Sequence, residues 1–260
     1  MRLDASRLSI ITVTRNNLDG LKRTGCSVLS QSFQNYEWIV VDGASTDDTV
    51  CYLQGLPQSK LHWVSEPDRG IYDAMNKAIE LCSGEYLLFL NAGDEFASCE
   101  VLSQLIALPH EQGKPDLIYG DAFERTQGGN LLYKRCRSHR WLWYGMFAHH
   151  QSMFYRRAAL GTIRYRQKYR VGADYALTAE LLLQGGKALR FRGPICIFEQ
   201  GGFSAQMVSL GRRDQWGIRR DIMKTNILFR SAIFVIQLLI GGIRNNFAGL
   251  YKTIRFSTAR

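Results

Sequence analysis

The stretch Ser65-Glu66-Pro67-Asp68-Arg69-Gly70-Ile71-Tyr72-Asp73-Ala74-Met75-Asn76-Lys77 decides how this chain is read. A short apolar run, 61–64, precedes it, and helical spacing of apolar residues continues over 71–81. A second apolar run, 86–90, ends in Asn91-Ala92-Gly93-Asp94. Polar groups therefore gather at the carboxyl ends of consecutive strands, where open α/β sheets bind their ligands. The pattern predicts a site for a nucleotide and a metal rather than a packed core.

The same rhythm extends outward in both directions. Short runs rich in β-branched or aromatic residues predict strands over 9–13, 38–41, 61–64, 86–90 and 117–119. Helical patterns lie between them at 18–30, 46–54, 71–81 and 100–108. Such alternation implies βαβ units and an α/β fold with a mostly parallel central sheet flanked by helices. Beyond residue 120 the rhythm changes. Trp141, Trp143, Tyr144 and Phe147 form an aromatic segment, 153–155 reads as a strand, and a helix over 175–184 stops at Gly185-Gly186. A long basic helix is predicted over 212–229, followed by a charge-free run over 231–243. That run is shorter than the roughly 20 residues a bilayer span takes, and suits an interfacial segment held by basic flanks.

Bulk properties narrow the classes. The chain has 260 residues, enough for one large domain or a domain with an appendage, and 46% hydrophobic residues exclude disorder. Charge is divided unevenly: residues 1–110 carry a net −6, 111–200 a net +8 and 201–260 a further +8. A basic half suits anionic lipid or a phosphorylated substrate, while the acidic half argues against a nucleic-acid coat. The six cysteines form no Cys-x-x-Cys pair, so reduced thiols are expected. No apolar signal-peptide core is read in the first ten residues, and a cytoplasmic location is expected.

Several residues bear chemistry. Asp42 closes an apolar strand before Gly43-Ala44-Ser45-Thr46-Asp47, a turn that presents a carboxylate to a base or ribose. Thr46 or Asp47 caps the next helix. Thr12 and Asn16 occupy the corresponding place after the first strand. Asp94 closes the fourth strand, where a hard divalent cation takes carboxylate oxygens together with substrate phosphates; a helix cap is the alternative. Asp174 stands at a helix start, suited either to capping or to general-base work. His149-His150-Gln151 lacks helical zinc spacing and suits either a pocket lining or a structural role. Neither Gly-x-Gly-x-x-Gly nor Gly-Lys-Thr/Ser is present, which argues against those phosphate cradles.

Taken together, the 9–16 strand, the 42–47 turn, the 66–77 stretch and Leu90-Asn91-Ala92-Gly93-Asp94 resemble family 2 glycosyltransferases of the GT-A fold. The resemblance is closest to the WcaE-like enzymes of colanic acid and related exopolysaccharide assembly. It extends through His150-Gln151, Asp174-Tyr175-Ala176-Leu177 and Gly201-Gly202-Phe203-Ser204, covering about 6–215. It implies a GT-A, Rossmann-like domain over 1–215, with a nucleotide-sugar half to residue 110 and an acceptor half to 215. Residues 216–260 would be a basic, helical membrane-association segment. By position, Thr12, Asn16, Asp42, Asp68, Arg69 and Asn91 would hold the nucleotide-sugar, and Asp94 would bind Mg²⁺ or Mn²⁺ on its diphosphate. Asp174 would deprotonate the acceptor hydroxyl, with His150, Gln151 and Ser204 on the acceptor side.

The resemblance further implies an inverting transfer from a nucleotide-diphosphate sugar, with UDP preferred over GDP, to a polyprenyl-diphosphate-linked glycan at the inner membrane face. Two departures matter. Gly93 stands where many relatives have a second Asp, and the Gln-x-x-Arg-Trp motif of processive synthases is missing, which favours transfer of one sugar. The competing readings are a nucleotidyltransferase acting on sugar phosphates, whose glycine-rich basic loop is absent, and a non-catalytic membrane-surface module, which leaves the strand-end carboxylates without purpose.

Overall fold

Alternation along the first strands dictates the layers. The computed structural model describes residues 8–108, 113–201 and 207–246. In β1 (Leu8–Thr14), Leu8 and Ile10 enter one hydrophobic core, Ile11 and Val13 another. β2 (Tyr36–Asp42) divides likewise, with Trp38 and Val40 set against Ile39 and Val41. So does β4 (Tyr86–Phe89), with Tyr86 and Leu88 against Leu87 and Phe89. A strand buried on both faces needs cover on both. Leu21 and Val28 of α1 (Leu18–Leu29) and Leu53 of α2 (Thr49–Gly55) cover one face. Ala74, Met75, Ala78 and Ile79 of α3 (Ile71–Leu81) cover the other.

The remaining strands are β3 (Leu61–Ser65), β5 (Glu95–Phe96), β6 (Leu117–Arg125), β7 (Leu131–Lys134), β8 (Met153–Arg156) and β9 (Ala188–Glu199). Their order is β3-β2-β1-β4-β8-β6-β9-β5, with β7 beside β6. The block β3-β2-β1-β4 is parallel throughout. Beyond it the sheet is mixed, since β8 runs antiparallel to β4 and β6 while β9 is parallel to β6. Helices α4 (Val101–Ile106), α5 (Arg157–Leu160) and α6 (Ala173–Leu183) complete the body. Register puts Thr14, Asp42 and Ser65 in one row, so the loops that follow β1, β2 and β3 leave the sheet at the same edge.

Three strands, β5, β7 and β9, go beyond the sequence expectation. β9 contains Gly193 and Pro194, which read as breakers, but they fall where its pairing with β6 shifts register near Asp121. The long helix expected over 212–229 is two helices, α7 (Val208–Asp221) and α8 (Ile227–Asn246). Lys224 adopts φ +53° between them, and Asn226 Oδ1 caps the second by accepting from Phe229 N at 2.8 Å. The expected boundary at residue 215 falls inside α7, whose Asp214, Ile218 and Arg219 are buried. Arg219 donates to the Trp143 carbonyl at 3.0 Å and to the Tyr144 carbonyl, which pins α7 to the aromatic segment. Among the described residues no helix is long and apolar enough to cross a membrane.

One polar knot ties the parallel block together. Trp38 is fully buried, and its Nε1–H needs an acceptor; Thr12 Oγ1 supplies it at 3.0 Å and itself donates to the Leu90 carbonyl at 2.8 Å. Thr12→Val should therefore lower stability by about 1–3 kcal/mol, the cost of leaving buried polar groups unpaired. Urea denaturation measures this, and an unchanged midpoint refutes the role.

Candidate active site

The loops at the flush strand edge are stitched to one another before any ligand is considered. The backbone N–H of Asn16 donates to Ser45 Oγ at 2.7 Å, and Asn16 Oδ1 accepts from Thr46 N at 2.7 Å. Asn16 and Ala44 both hold left-handed backbone, φ +50° and +56°, strain of the kind that collects at functional loops. Asp42 is fully buried, and its carboxylate accepts from Ser45 N at 3.0 Å, from Ser65 Oγ at 2.6 Å and from Ser45 Oγ. Asp68 accepts from Gly70 N at 2.8 Å, and its other oxygen lies so close over Gly43 that a Cβ there would collide with it.

The expected site residues lie at different depths. Thr12 and Asp42 are buried, with polar atoms bonded to Trp38, Leu90, Ser45 and Ser65. Asn16 and Asp68 sit in the loops beside the cleft rather than in its lining, whereas Arg69 lines it and pairs with Asp73 at 3.1 Å. The cleft itself, about 1690 Å³, brings together Arg69, Asn91, Asp94, His150, Gln151 and Asp174.

Asp94 lies at the cleft floor. Its Oδ1 accepts from the backbone N–H of Glu199 at 3.1 Å, and burial pushes its pKa up to about 7 despite that bond and one from Gln151. Negative charge on Glu199 adds to the rise. Gln151 thus stands beside Asp94. Asn91 Oδ1 is buried without a hydrogen-bond partner, while the Asn91 carbonyl accepts from Asp94 N at 2.9 Å. Gly93 has φ +109°, and a Cβ there would fall 2.5 Å from Glu199 Oε2. Among the described residues no three His, Cys, Asp or Glu side chains gather as a metal cage. Hard oxygens from Asp94, with the orphaned Asn91 amide oxygen close in sequence, still fit a cation that keeps water and phosphate ligands.

Asp174 sits in the first turn of α6, its Oδ1 accepting from Tyr175 N at 2.7 Å. Burial pushes its pKa up to about 6, with the charge of Asp214 adding to the rise. Asp214 braces the preceding loop by accepting from Val171 N at 2.8 Å and Gly172 N at 3.1 Å. His150 lines the cleft and packs against Phe89 and Tyr165. Its Nε2 shares a 2.7 Å hydrogen bond with the Tyr165 hydroxyl, and burial drives its pKa down to about 3, keeping the ring neutral. Ser204 lies outside the described residues.

Sequence reasoning missed Glu124, Lys134 and Glu199, which line the cleft together with His149. Glu124 pairs with Lys134 and lies 2.9 Å from His149 Nε2. Burial would raise its pKa, but the His149 hydrogen bond and the Lys134 charge hold it well below the usual carboxylate range. Gly128-Gly129-Asn130, a hairpin turn, was the available signal for bringing Lys134 back over Glu124.

With this geometry in place, comparison with known proteins is informative. The profile described as Glycosyl transferase family 2 matches residues 9–164. The chain belongs to glycosyl transferase family 2. Within the family it is 31% identical over 251 residues to a PGL/p-HBAD biosynthesis glycosyltransferase of Mycobacterium tuberculosis, covering 90% of this chain and 91% of that one. It is 41% identical over 125 residues to an uncharacterized glycosyltransferase of the same species, and the match spans 48% of each chain. The chain thus spans about half the length of that relative. Staphylococcus aureus TarS 1–349 with UDP-GlcNAc has a similar fold, TM-score 0.68 at 17% identity, over 92% of this chain and 74% of that one. So does a mannosyltransferase from Pyrobaculum calidifontis with GDP-Man and Mn²⁺, TM-score 0.65 at 17% identity, over 89% and 69%. The fold is accordingly that of GT-A glycosyltransferases. Asp174 and Glu199 lie past the end of the family 2 match.

The raised pKa of Asp94 has a consequence for stability. Between the ordinary carboxylate value and about 7 the folded state binds more protons than the unfolded one, so stability falls as pH rises through this window. Asp94→Asn removes the cost, and without added metal it should gain about 1–4 kcal/mol on the wild type between pH 4 and pH 8. Urea melts at the two pH values check this; parallel curves for the two proteins contradict it.

Proposed function

We propose that this protein transfers one sugar, with inversion, from a nucleotide-diphosphate sugar to a hydroxyl of a lipid-linked glycan in bacterial cell-surface or exopolysaccharide synthesis. The observation that carries the reading is the placement of Asp94 and Asp174, from opposite halves of the chain, in one cleft beside the strand-edge loops. The nucleoside lies against loops 15–17, 43–46 and 66–70, with Asp68 as its carboxylate contact and Asn16 and Asp42 holding the loops in shape. A UDP-sugar is the preferred donor. UDP-GlcNAc and GDP-Man in the similar folds support a nucleotide-sugar without choosing the base.

In the proposed step, Asp174 accepts the proton of the acceptor hydroxyl while that oxygen attacks the anomeric carbon. The bond from this carbon to the diphosphate oxygen breaks, and the diphosphate leaves with the electron pair. Mg²⁺ or Mn²⁺ held by Asp94 would supply positive charge to the leaving diphosphate. A base with a pKa near 6 is mostly ionised at neutral pH, yet still basic enough to help the attack.

The acceptor's anionic lipid carrier suits the carboxyl-terminal helices. α8 buries Ile233 but exposes Ile227, Leu228, Val235, Leu238 and Leu239, and Trp141 and Trp143 are exposed nearby. Arg212 and Arg213 flank this surface, whereas Arg219 turns inward. A peripheral position on the inner membrane face follows from this reading.

Asp174→Asn should lower turnover by about 10²–10⁴-fold while UDP affinity stays within a factor of two. The wild-type kcat/KM should fall as pH drops through about 6, and that limb should vanish from the residual activity of the variant. Near-normal turnover by the variant removes Asp174 from the base role. For the membrane reading, flotation with phosphatidylglycerol vesicles should capture the wild type but not a Leu228→Glu/Leu239→Glu variant. Equal capture of both removes α8 from membrane contact.

A further inference from the structure

We propose that Glu199, the last residue of β9, supplies a second carboxylate to the divalent-cation site on Asp94, in the space a side chain at position 93 would otherwise fill. The inference rests on the reading of Asp94 as a metal holder and concerns what completes that site. Here the loop has glycine at φ +109°, and a Cβ would stand 2.5 Å from Glu199 Oε2. The carboxylate that the loop lacks is delivered from a strand more than 100 residues away in sequence.

The backbone explains how the delivery is held. Glu95 pairs with Ile197 across β5 and β9, and Ala97 N donates to the Ile195 carbonyl at 2.9 Å. Two residues further along β9, the Glu199 N–H binds Asp94 Oδ1 at 3.1 Å. The main chain of one carboxylate residue thus fixes the side chain of the other, so the two acids sit side by side by construction. Asn91, whose buried Oδ1 has no hydrogen-bond partner, adds an amide oxygen from the same loop. Two carboxylates, an amide oxygen and a substrate diphosphate form an all-oxygen donor set of the kind Mg²⁺ and Mn²⁺ select.

Arg23 completes the argument. Its Nη2 lies 2.7 Å from Glu199 Oε2 and 3.8 Å from the position a Gly93 Cβ would take. A cationic group therefore already neutralises this carboxylate. Both partners are nearly half exposed, 41% and 46%, and an ion pair that open to solvent is weak. A divalent cation can take Glu199 from Arg23 at little cost, and the guanidinium is left beside the anionic diphosphate.

Electron paramagnetic resonance of free Mn²⁺, titrated with the full-length protein with and without UDP, tests this apart from turnover. Glu199→Gln should weaken Mn²⁺ binding at least about tenfold, the scale on which even supporting groups of metal sites act. Its UDP affinity without metal should stay within a factor of two of the wild type, and it should remain folded. Arg23→Gln removes the competing cation and should tighten Mn²⁺ binding; affinity at or below the wild-type value counts against the proposal. Wild-type Mn²⁺ affinity in Glu199→Gln, together with loss of binding in Asp94→Asn, overturns the role of Glu199 and leaves Asp94 standing. Absence of Mn²⁺ binding by the wild type with UDP, or full retention by Asp94→Asn, overturns the Asp94 reading as well.

Discussion

Parallel pairing in register across β3, β2, β1 and β4 is the constraint from which the rest of the molecule follows. Backbone bonds continue the ladder past the strand ends: Gly43 N to Thr14 O, Glu66 N to Asp42 O, Leu90 N to Ile11 O and Ala92 N to Val13 O. Each loop therefore starts from a strand end held by its neighbour, and four polar segments far apart in sequence meet along one edge. A slip of one residue would turn Thr12 and Trp38 to the opposite face and break both cores. Burial of both faces makes that slip costly, so the site inherits its precision from apolar packing.

The polar residues near this edge divide by whether their charge is answered. Asp42 is enclosed by hydroxyl and N–H donors, Glu124 by Lys134, His149 and Gln200, and Asp214 holds two backbone N–H groups. These groups hold segments in place. Asp94 and Asp174 are different, because burial exceeds the hydrogen bonding they receive and both pKa values rise. Perturbed carboxylates of this kind in a cleft mark candidate functional groups.

The carboxyl-terminal helices extend the same logic outward. α7 is held by interior polar bonds, Asp214 to the loop before α6 and Arg219 to the carbonyls of Trp143 and Tyr144. α8 is tied in through Gln237, which donates to the Tyr144 carbonyl at 3.3 Å and to Gln215 Oε1 at 2.7 Å, yet turns an apolar face to solvent, with Trp143 against Phe229 at its start. One helix belongs to the body and the next presents a surface. The turn at Lys224–Asn226 separates the two helices.

The sequence by itself determined the alternating strands and helices, the edge at which polar loops gather, and the position of Asp94 and Asp174 at the ends of elements. Those features are local: period-two burial, helix spacing and a carboxylate at an element's end are written in neighbouring residues. The tertiary structure alone decided which polar residues face the cleft. Thr12 and Asp42 are bonded to Trp38, Leu90, Ser45 and Ser65, partners that only pairing brings near. Conversely, Glu199 ends a strand that Gly193 and Pro194 conceal from pattern reading, and only the β5–β9 ladder carries it to Asp94. Which side chain fills the space above Gly93 depends on long-range backbone pairing, and no local pattern records it.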